Sequence, residues 1–223
     1  MKFFNNFKNP KGRLGKFILN QMNDKNSQVS LWGINHFQIS QNDTIIDIGC
    51  GGGVNINQMK RHSSKKIYGV DISEESVKKA RELTNEEIIK ADVEKLPFDD
   101  SSADIITAFK TVFFWKDLNK AFREVRRVLK DGGIFVIVAD FNGDENTTIT
   151  KLMEMDAKKD SEITDYLIKA DFSKVTSYIR DVKEKKETVK INNEETNIID
   201  DMFNGKKSPS DKMKEWVCII AEK

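Results

Sequence analysis

The chain has 223 residues, a length that suits one sizeable domain, and its 37 Lys and Arg residues nearly balance its 36 Asp and Glu residues. That balance gives no reason to expect nucleic acid or an acidic membrane surface as a partner. Two cysteines, Cys50 and Cys218, are too few for a disulfide framework or a zinc site, so a reducing, cytoplasmic setting is expected. No apolar run approaches the roughly 18 residues that a membrane span needs, and the first residues lack the features of a signal peptide.

Residues 1–40 show no strand pattern, and the first predicted elements are two short helices, over 13–22 and 28–37, that would form a cap. The middle of the chain then alternates strand and helix signals. This alternation, with strands that are apolar on both faces, is typical of a doubly wound parallel sheet. The predicted strands are 43–48, 66–70, 87–91, 104–109 and 134–139. The predicted helices are 54–61, 73–83 with Ser73 as its cap, and 117–129, which the segment 131–133 would end.

The last third of the chain is more polar. Helices are predicted over 147–158 and 162–170, and strands over 174–180 and 216–221. The charge-rich segment between those two strands has weak periodicity, and we interpret it as a long loop or an inserted lid; a solvated, partly disordered excursion is the open alternative. The expected organisation is a single domain over 1–223, with a cap over 1–40, a sheet core over 41–180 and 215–223, and a polar insertion over 181–214.

The turn over 47–53 reads Asp-Ile-Gly-Cys-Gly-Gly-Gly and lies between an apolar strand and a helix. Glycines permit left-handed backbone angles and remove Cβ atoms that would keep a ligand away. Asp71 ends the next predicted strand, where a carboxylate can accept hydrogen bonds from a ribose. An adenosine-containing cofactor is therefore predicted. The G-x-G-x-x-G spacing of dinucleotide-binding proteins is absent, because Val54 stands where the last glycine would fall.

Five motifs in this order resemble those of class I S-adenosylmethionine (SAM)-dependent methyltransferases of the type 11 group. They are the segments 47–53, 70–73, 91–98, 104–109 and 126–133. The resemblance implies a Rossmann-like α/β fold, in which a seven-stranded mixed sheet has the order 3-2-1-4-5-7-6 and carries helices on both faces. The two strands predicted last along the chain would be strands six and seven, the seventh running antiparallel.

The resemblance also implies SAM as the cofactor. Asp71 would take the ribose hydroxyls, and Ile72 would flank the adenine. Asp92 would accept a hydrogen bond from the adenine amino group, while the amide of Val93 would donate to the ring. Lys110 would contact the methionine end. The full set of cofactor-binding residues that the resemblance implies is Asp47, Gly49, Cys50, Gly51, Gly53, Asp71, Ile72, Asp92, Val93 and Lys110.

Ordinary structural roles stay open for several of these residues. Asp47 would orient the turn or meet the cofactor's amino group through water, and capping of loop amides is its alternative. A plain helix-start cap is the alternative role for Asp71, and a surface turn acid is the alternative for Asp92. Lys110 would otherwise be a solvated lysine, and Cys50 is interpreted as a small filler of the loop, not a nucleophile.

Five residues are candidates for the methyl-acceptor pocket. Trp32, Phe113, Phe114 and Trp115 would form its walls, where aromatic rings can also hold a cation. Packing in the core is the competing interpretation for all four. Asp140, just past the fifth predicted strand, would be a substrate contact or a base; a helix-start cap is its alternative.

Methyl transfer from a sulfonium is an in-line displacement that needs positioning more than chemical assistance. No metal and no catalytic nucleophile are predicted, and His36 is interpreted as an ordinary helix residue. The expected acceptor is a small molecule. Some bacterial members with a similar segment over 111–115 often have Glu where Lys110 stands and Tyr where Phe113 stands. A SAM-binding sensor or scaffold with little catalysis is therefore the first alternative, and a nicotinamide dehydrogenase the second.

Overall fold

The computed structural model describes residues 27–62, 66–140, 156, 158–200 and 215–223. The helix predicted over 13–22 lies outside these residues, and so does most of the one predicted over 147–158. Five α-helices are described: α1 Ser27–Ile34, α2 Val54–Lys60, α3 Glu74–Thr84, α4 Leu118–Val128 and α5 Asp160–Lys169. The nine described strands are β1 Thr44–Ile48, β2 Lys66–Asp71, β3 Glu87–Lys90, β4 Ala103–Phe109, β5 Leu129–Ala139, β6 Lys174–Asp181, β7 Lys186–Ile191, β8 Glu194–Asp200 and β9 Glu215–Glu222.

These nine strands form one sheet in the order β3-β2-β1-β4-β5-β9-β6-β7-β8. The first five strands of the chain pair in parallel. β9 lies antiparallel between β5 and β6, and β7 and β8 continue the sheet in antiparallel fashion. The Rossmann-like fold and the antiparallel strand beside β5 agree with the expected order, in which β9 takes the place of strand seven.

The expected count of seven strands is wrong, because β7 and β8 add a hairpin beyond β6. This hairpin occupies 186–200, inside the segment that was interpreted as a loop or a lid. Asn192 and Asn193 join the two strands, and both have a positive φ, of 49° and 72°. Two successive residues with positive φ are what a tight type I′ hairpin turn requires, and Asn tolerates that conformation. The pair was a sequence signal for the hairpin that the charge-rich composition obscured.

The parallel part of the sheet is buried on both faces. Ile45 packs with residues of α1, α2 and α3 on one face, whereas its neighbour Ile46 packs with residues of α4 and α5 on the other. Successive side chains of a strand point to opposite faces, so a strand that is apolar at every position belongs in the middle of such a sandwich. The helix layers therefore cover the sheet's faces and leave its edges as the places where side chains meet solvent.

Two local predictions can be compared with the described elements. Ser73 caps α3 as predicted, since its Oγ accepts a hydrogen bond from the amide of Ser76. The segment 131–133 does not end a helix: α4 ends at Val128, and β5 begins at once. Gly132 has a φ of 76° inside β5 and its amide approaches the carbonyl of Lys223 at the end of the chain. The glycines thus bend a strand rather than stop a helix.

Candidate functional site

The carboxyl ends of the parallel strands lie at one edge of the sheet, and this edge holds most of the predicted site. β1 leads to β2 on one side, while β4 leads to β5 on the other. The crevice between β1 and β4 is thus a topological switch point, which is where open α/β sheets bind ligands. The glycine turn follows β1, and Lys110 follows β4.

Close packing requires glycine at positions 49 and 53 of the turn, whereas Gly51 faces open space. Gly49, Gly51 and Gly53 have φ values of 69°, 54° and 85°. A Cβ on Gly49 would lie 2.2 Å from Oγ1 of Thr111, and one on Gly53 would lie 2.6 Å from Cγ2 of Thr84. A Cβ on Gly51 would meet nothing within 4 Å. A ligand can therefore approach the backbone at Gly51 without meeting protein atoms.

Asp71 ties this turn to the start of α3. One carboxylate oxygen accepts the amide of Gly51 at 2.9 Å, and the other accepts the amide of Ser73 at 2.8 Å. Burial raises the pKa of Asp71, and these two hydrogen bonds oppose the rise. The helix-start interpretation thus describes part of its role. An ionised carboxylate offers about four acceptor positions, so Asp71 retains capacity for ribose hydroxyls.

Asp47 is a fully buried acid with an unsatisfied oxygen. Oγ1 of Thr107, on the adjacent β4, donates to its Oδ1 at 2.8 Å. Its Oδ2 has no hydrogen-bond partner among the described residues. Burial raises the pKa of Asp47 to about 7; the Thr107 bond lowers it, and the charge of Asp71 adds to the rise. An orphaned buried oxygen beside the glycine turn fits a bound group that supplies a donor or a positive charge. Sequence reasoning did not identify Thr107.

Ile72 and the turn after β3 form the next part of this edge. β2 and β3 pair in parallel, and the carbonyl of Asp71 accepts the amide of Ala91. Ile72 is 45% exposed and is one of three large apolar side chains that are exposed among the described residues. Asp92 is half-buried, and its carboxylate accepts the amide of Glu94 at 3.1 Å. An apolar surface next to a carboxylate suits an adenine ring and its amino group.

Lys110 and Asp140 form an ion pair across the ends of β4 and β5. Both side chains are largely buried, so Lys110 is not a solvated lysine. Its φ of 58° is left-handed, and its amide donates to the carbonyl of Val138 at 2.7 Å. That backbone conformation turns the chain over the end of β5. The sequence placed both residues at this edge but gave no indication that they pair.

The structure does not bring the predicted aromatic walls together. Trp115 stacks on Phe135 with ring centroids 6.2 Å apart, and Phe113 is buried in the same cluster on the α4 and α5 face. Trp32 is 2% exposed and lies in the cluster on the opposite face. Phe114 is half-buried. Packing in the core therefore describes Trp32, Phe113 and Trp115.

A buried polar cluster that the sequence did not predict joins α1 to the added hairpin. Nε1 of Trp32 donates to Glu187 at 3.0 Å, and Nε2 of His36 lies 3.2 Å from the same carboxylate oxygen. Nδ1 of His36 lies 2.9 Å from the carbonyl of Trp32. His36 thus follows α1 and is not an ordinary helix residue. We call this the Trp32–His36–Glu187 cluster. Glu187 lies 151 residues from His36 and 155 from Trp32 along the chain, so no local pattern could reveal the cluster.

The part of the chain that the structure describes lacks two features. No group of three or more His, Cys, Asp or Glu residues there is arranged to hold a metal ion. No helix there is long and apolar enough to cross a membrane.

The sheet order, the glycine turn and the acid after β2 define the fold of class I methyltransferases. Residues 46–137 match the family model described as "Methyltransferase domain". This match covers less than half of the chain, and it agrees with the resemblance to class I, SAM-dependent methyltransferases that the five motifs carry.

The curated relatives of this chain include two proteins that match over about half of its length. An uncharacterised protein of Methanocaldococcus jannaschii is 34% identical over 122 residues, covering 55% of this chain and 47% of that protein. The uncharacterised methyltransferase YdaC of Bacillus subtilis is 29% identical over 113 residues, covering 49% of this chain and 62% of that protein. The match thus spans about half to three fifths of the length of these relatives.

Solved structures extend the likeness in fold to nearly the whole chain. A putative methyltransferase of Haloferax volcanii, in complex with the Trm112 methyltransferase activator, has a TM-score of 0.69 at 18% identity and covers 93% of this chain and 94% of that chain. A geranyl diphosphate C-methyltransferase of Streptomyces coelicolor, in complex with S-adenosyl-L-homocysteine, has a TM-score of 0.62 at 17% identity, with coverages of 88% and 80%.

Proposed function

We propose that this chain is an enzyme that moves a methyl group from SAM to a small-molecule acceptor. The observation that carries the proposal is the carboxyl edge of β1 and β2. There a glycine turn open at Gly51, a fully buried Asp47 with an unsatisfied oxygen and the acid Asp71 lie together within a matched methyltransferase domain. A reducing, cytoplasmic location is part of the same proposal.

Five residues at this edge of the sheet would hold the cofactor. Gly51 would let the ligand reach the backbone, and Asp71 would use its remaining acceptor positions for the ribose. The exposed Ile72 would cover one side of the adenine, and Asp92 would accept from its amino group. Asp47 would face the positively charged methionine end through water.

SAM supplies a methyl group that its sulfonium has already activated. The task of the protein is therefore to hold the acceptor in line with that methyl and to keep water out. The Lys110–Asp140 pair lies at the ends of β4 and β5, the strands next to the switch point. We assign it to the acceptor side of the site, where Asp140 would orient a polar group of the acceptor and Lys110 would hold that carboxylate in place through the ion pair.

A SAM-binding protein with little or no catalysis is the second candidate. It is favoured by the burial of Trp32, Phe113 and Trp115, since the aromatic walls expected for an acceptor pocket pack in the core instead. The two candidates share a cofactor site and differ in turnover, so one preparation can separate them.

The first experiment is isothermal titration of the purified protein with SAM and with S-adenosylhomocysteine (SAH), and with NADH as a parallel control. Asp71→Ala and Asp92→Ala are expected to weaken SAM binding, whereas Glu82→Ala, at an exposed position of α3, is expected to leave it unchanged. Absence of SAM binding would remove both candidates, and NADH binding would favour a dehydrogenase. SAH release in a screen of small-molecule acceptors supports the enzyme; binding without turnover by any acceptor supports the second candidate.

A further inference from the structure

The connection between β3 and β4, residues 91–102, includes the turn proposed to bind adenine. Much of it is held by side chains that do not belong to it. Its first half is a short turn in which the carbonyl of Asp92 accepts the amide of Lys95 at 3.0 Å. No α-helix lies within this connection, all of which the structure describes. Its second half is held by two side chains of α4, Glu124 and Arg127.

These two side chains hold both peptide groups of Leu96. Oε1 of Glu124 accepts the amide of Leu96 at 2.7 Å, and Nη2 of Arg127 donates to the carbonyl of Leu96 at 3.3 Å. Nη1 of Arg127 donates to the carbonyl of Phe98 at 3.0 Å and to a carboxylate oxygen of Asp100 at 2.6 Å. A single guanidinium therefore holds the connection at three residues, 96, 98 and 100. Its rigid fork of donors makes these simultaneous contacts possible.

Glu124 and Arg127 also hold each other. Nε and Nη2 of Arg127 donate to the two oxygens of Glu124 at 2.9 and 2.8 Å. The hydrogen bond from Arg127 holds the pKa of Glu124 below its usual value, so both groups stay charged at neutral pH. Paired, charge-assisted hydrogen bonds are shorter and stronger than neutral ones and fix orientation as well as distance.

The hydrogen bonds to Leu96 connect Glu124 and Arg127 to the residues proposed to contact adenine. Leu96 and Val93 are both buried in the core cluster beneath α4. Leu96 follows Lys95, whose amide closes the turn on Asp92. A shift of Leu96 would therefore displace Lys95 and the carbonyl of Asp92 that accepts its amide. The carboxylate of Asp92 and the amide of Val93 would move with them.

We propose that Glu124 and Arg127 are positioning residues that set the adenine-binding turn, and so the affinity and base preference for the cofactor, without touching it. This inference rests on the proposed function, because it assumes that Asp92 and Val93 receive the adenine of SAM. We call the pair the Glu124–Arg127 clamp. It accounts for a half-buried, multiply bonded pair whose contacts on the connection fall at residues 96, 98 and 100, just after that turn.

The test compares neighbouring arginines on the same helix. Arg127→Gln removes the clamp, whereas Arg126→Gln removes a side chain whose Nε donates to the carbonyl of Asp171 on the other side of the helix. Arg127→Gln is expected to weaken SAH binding by about tenfold, the scale of a lost charge-assisted hydrogen bond. Arg126→Gln is expected to match the wild type. Equal affinities for the two variants would overturn the proposal.

Two further readouts separate positioning from general stability. The preference for SAH over S-inosylhomocysteine, in which an oxo group replaces the adenine amino group, should shrink in Arg127→Gln and stay unchanged in Arg126→Gln. The losses from Arg127→Gln and Asp92→Ala should be less than additive, whereas those from Arg127→Gln and Asp71→Ala should add. Additive losses with Asp92→Ala, or an unchanged base preference, would contradict the clamp.

Failure of the clamp and failure of the proposed function give different results. If the wild type does not bind SAH, the proposed function fails and the inference falls with it. If it binds and the arginine variants do not differ, the clamp alone fails. Should Arg127→Gln not fold, Arg127→Lys keeps the charge but loses the paired hydrogen bonds, and Glu124→Gln keeps the side-chain shape; the same binding measurements then decide.

Discussion

Asp47 is an acid whose environment favours the neutral form, and this has a consequence for stability. Its pKa in the folded state is about 7 because of burial, against about 3.9 in an unfolded chain. Between those values the unfolded chain releases the proton while the folded chain retains it, so stability falls as pH rises from about 4 to 7. The loss amounts to at most about 4 kcal/mol at roughly 1.4 kcal/mol per pKa unit.

Asp47→Asn should remove much of this pH dependence, because the amide cannot ionise. Urea unfolding at pH 5 and pH 8 is the measurement, and the difference between the two pH values should be smaller in the variant than in the wild type. Asp71, whose pKa burial also raises, contributes in the same direction and should leave a residual slope in Asp47→Asn. Equal slopes in the two proteins would show that Asp47 ionises at its ordinary pKa.

Gly49 and Gly51 make a matched pair for testing the turn. Both have positive φ, but a Cβ on Gly49 would lie 2.2 Å from Thr111 while one on Gly51 meets nothing within 4 Å. Gly49→Ala should cost about 1–3 kcal/mol of unfolding free energy, more than Gly51→Ala. Gly51→Ala should weaken SAM binding, since its methyl group would occupy the open space. Partial recovery of Gly49→Ala stability by Thr111→Ala would verify the clash; similar losses at both glycines would contradict it.

At the scale of the element, the added hairpin is held to α1 by contacts to one carboxylate. Nε1 of Trp32 donates to Oε2 of Glu187 at 3.0 Å, and Nε2 of His36 lies 3.2 Å from the same oxygen. The other ring nitrogen of His36, Nδ1, lies 2.9 Å from the carbonyl of Trp32. The Trp32–His36–Glu187 cluster therefore joins two buried side chains, Trp32 and Glu187, through the part-buried ring of His36.

Glu187→Ala should destabilise the protein by about 3 kcal/mol, because it leaves the indole N–H of Trp32 and the ring of His36 buried without their acceptor. Amide exchange should accelerate in β7 and at the end of α1. Glu195→Ala, at an exposed position of β8, is the control and should change stability by less than about 0.5 kcal/mol. If the two variants unfold at the same urea concentration, the cluster does not anchor the hairpin.

The same cluster explains why the hairpin escaped sequence analysis. Alternation of apolar and polar residues is the main signal of a strand, but Glu187 occupies an inward position of β7 and breaks that pattern. Its partners, Trp32 and His36, come from the other end of the chain. By contrast, β1, β2, β4 and α4 were predicted from local patterns alone. The turns proposed to bind the cofactor follow from short motifs, whereas Thr107 beside Asp47 and Asp140 beside Lys110 required the pairing of strands.

At the scale of the whole molecule, the proposed cofactor site and the Trp32–His36–Glu187 cluster lie far apart on one sheet. β7 is five strands from β1 in the sheet order, or about 24 Å at roughly 4.8 Å per strand. Effects at sites that share no partner usually add within about 0.5 kcal/mol. Saturating SAH at 100 times its dissociation constant should stabilise the wild type by about 2.7 kcal/mol.

Glu187→Ala should therefore be less stable than the wild type, yet SAH should raise the stability of both proteins by the same amount. The reason is that the Trp32–His36–Glu187 cluster and the proposed cofactor site act independently. Urea unfolding with and without SAH, at one free SAH concentration of 100 times the wild-type dissociation constant, measures both increments; NADH should give none. A smaller increment in Glu187→Ala would mean that the hairpin helps to shape the cofactor edge through β6, β9 and β5. In that case the two added strands would serve binding as well as stability.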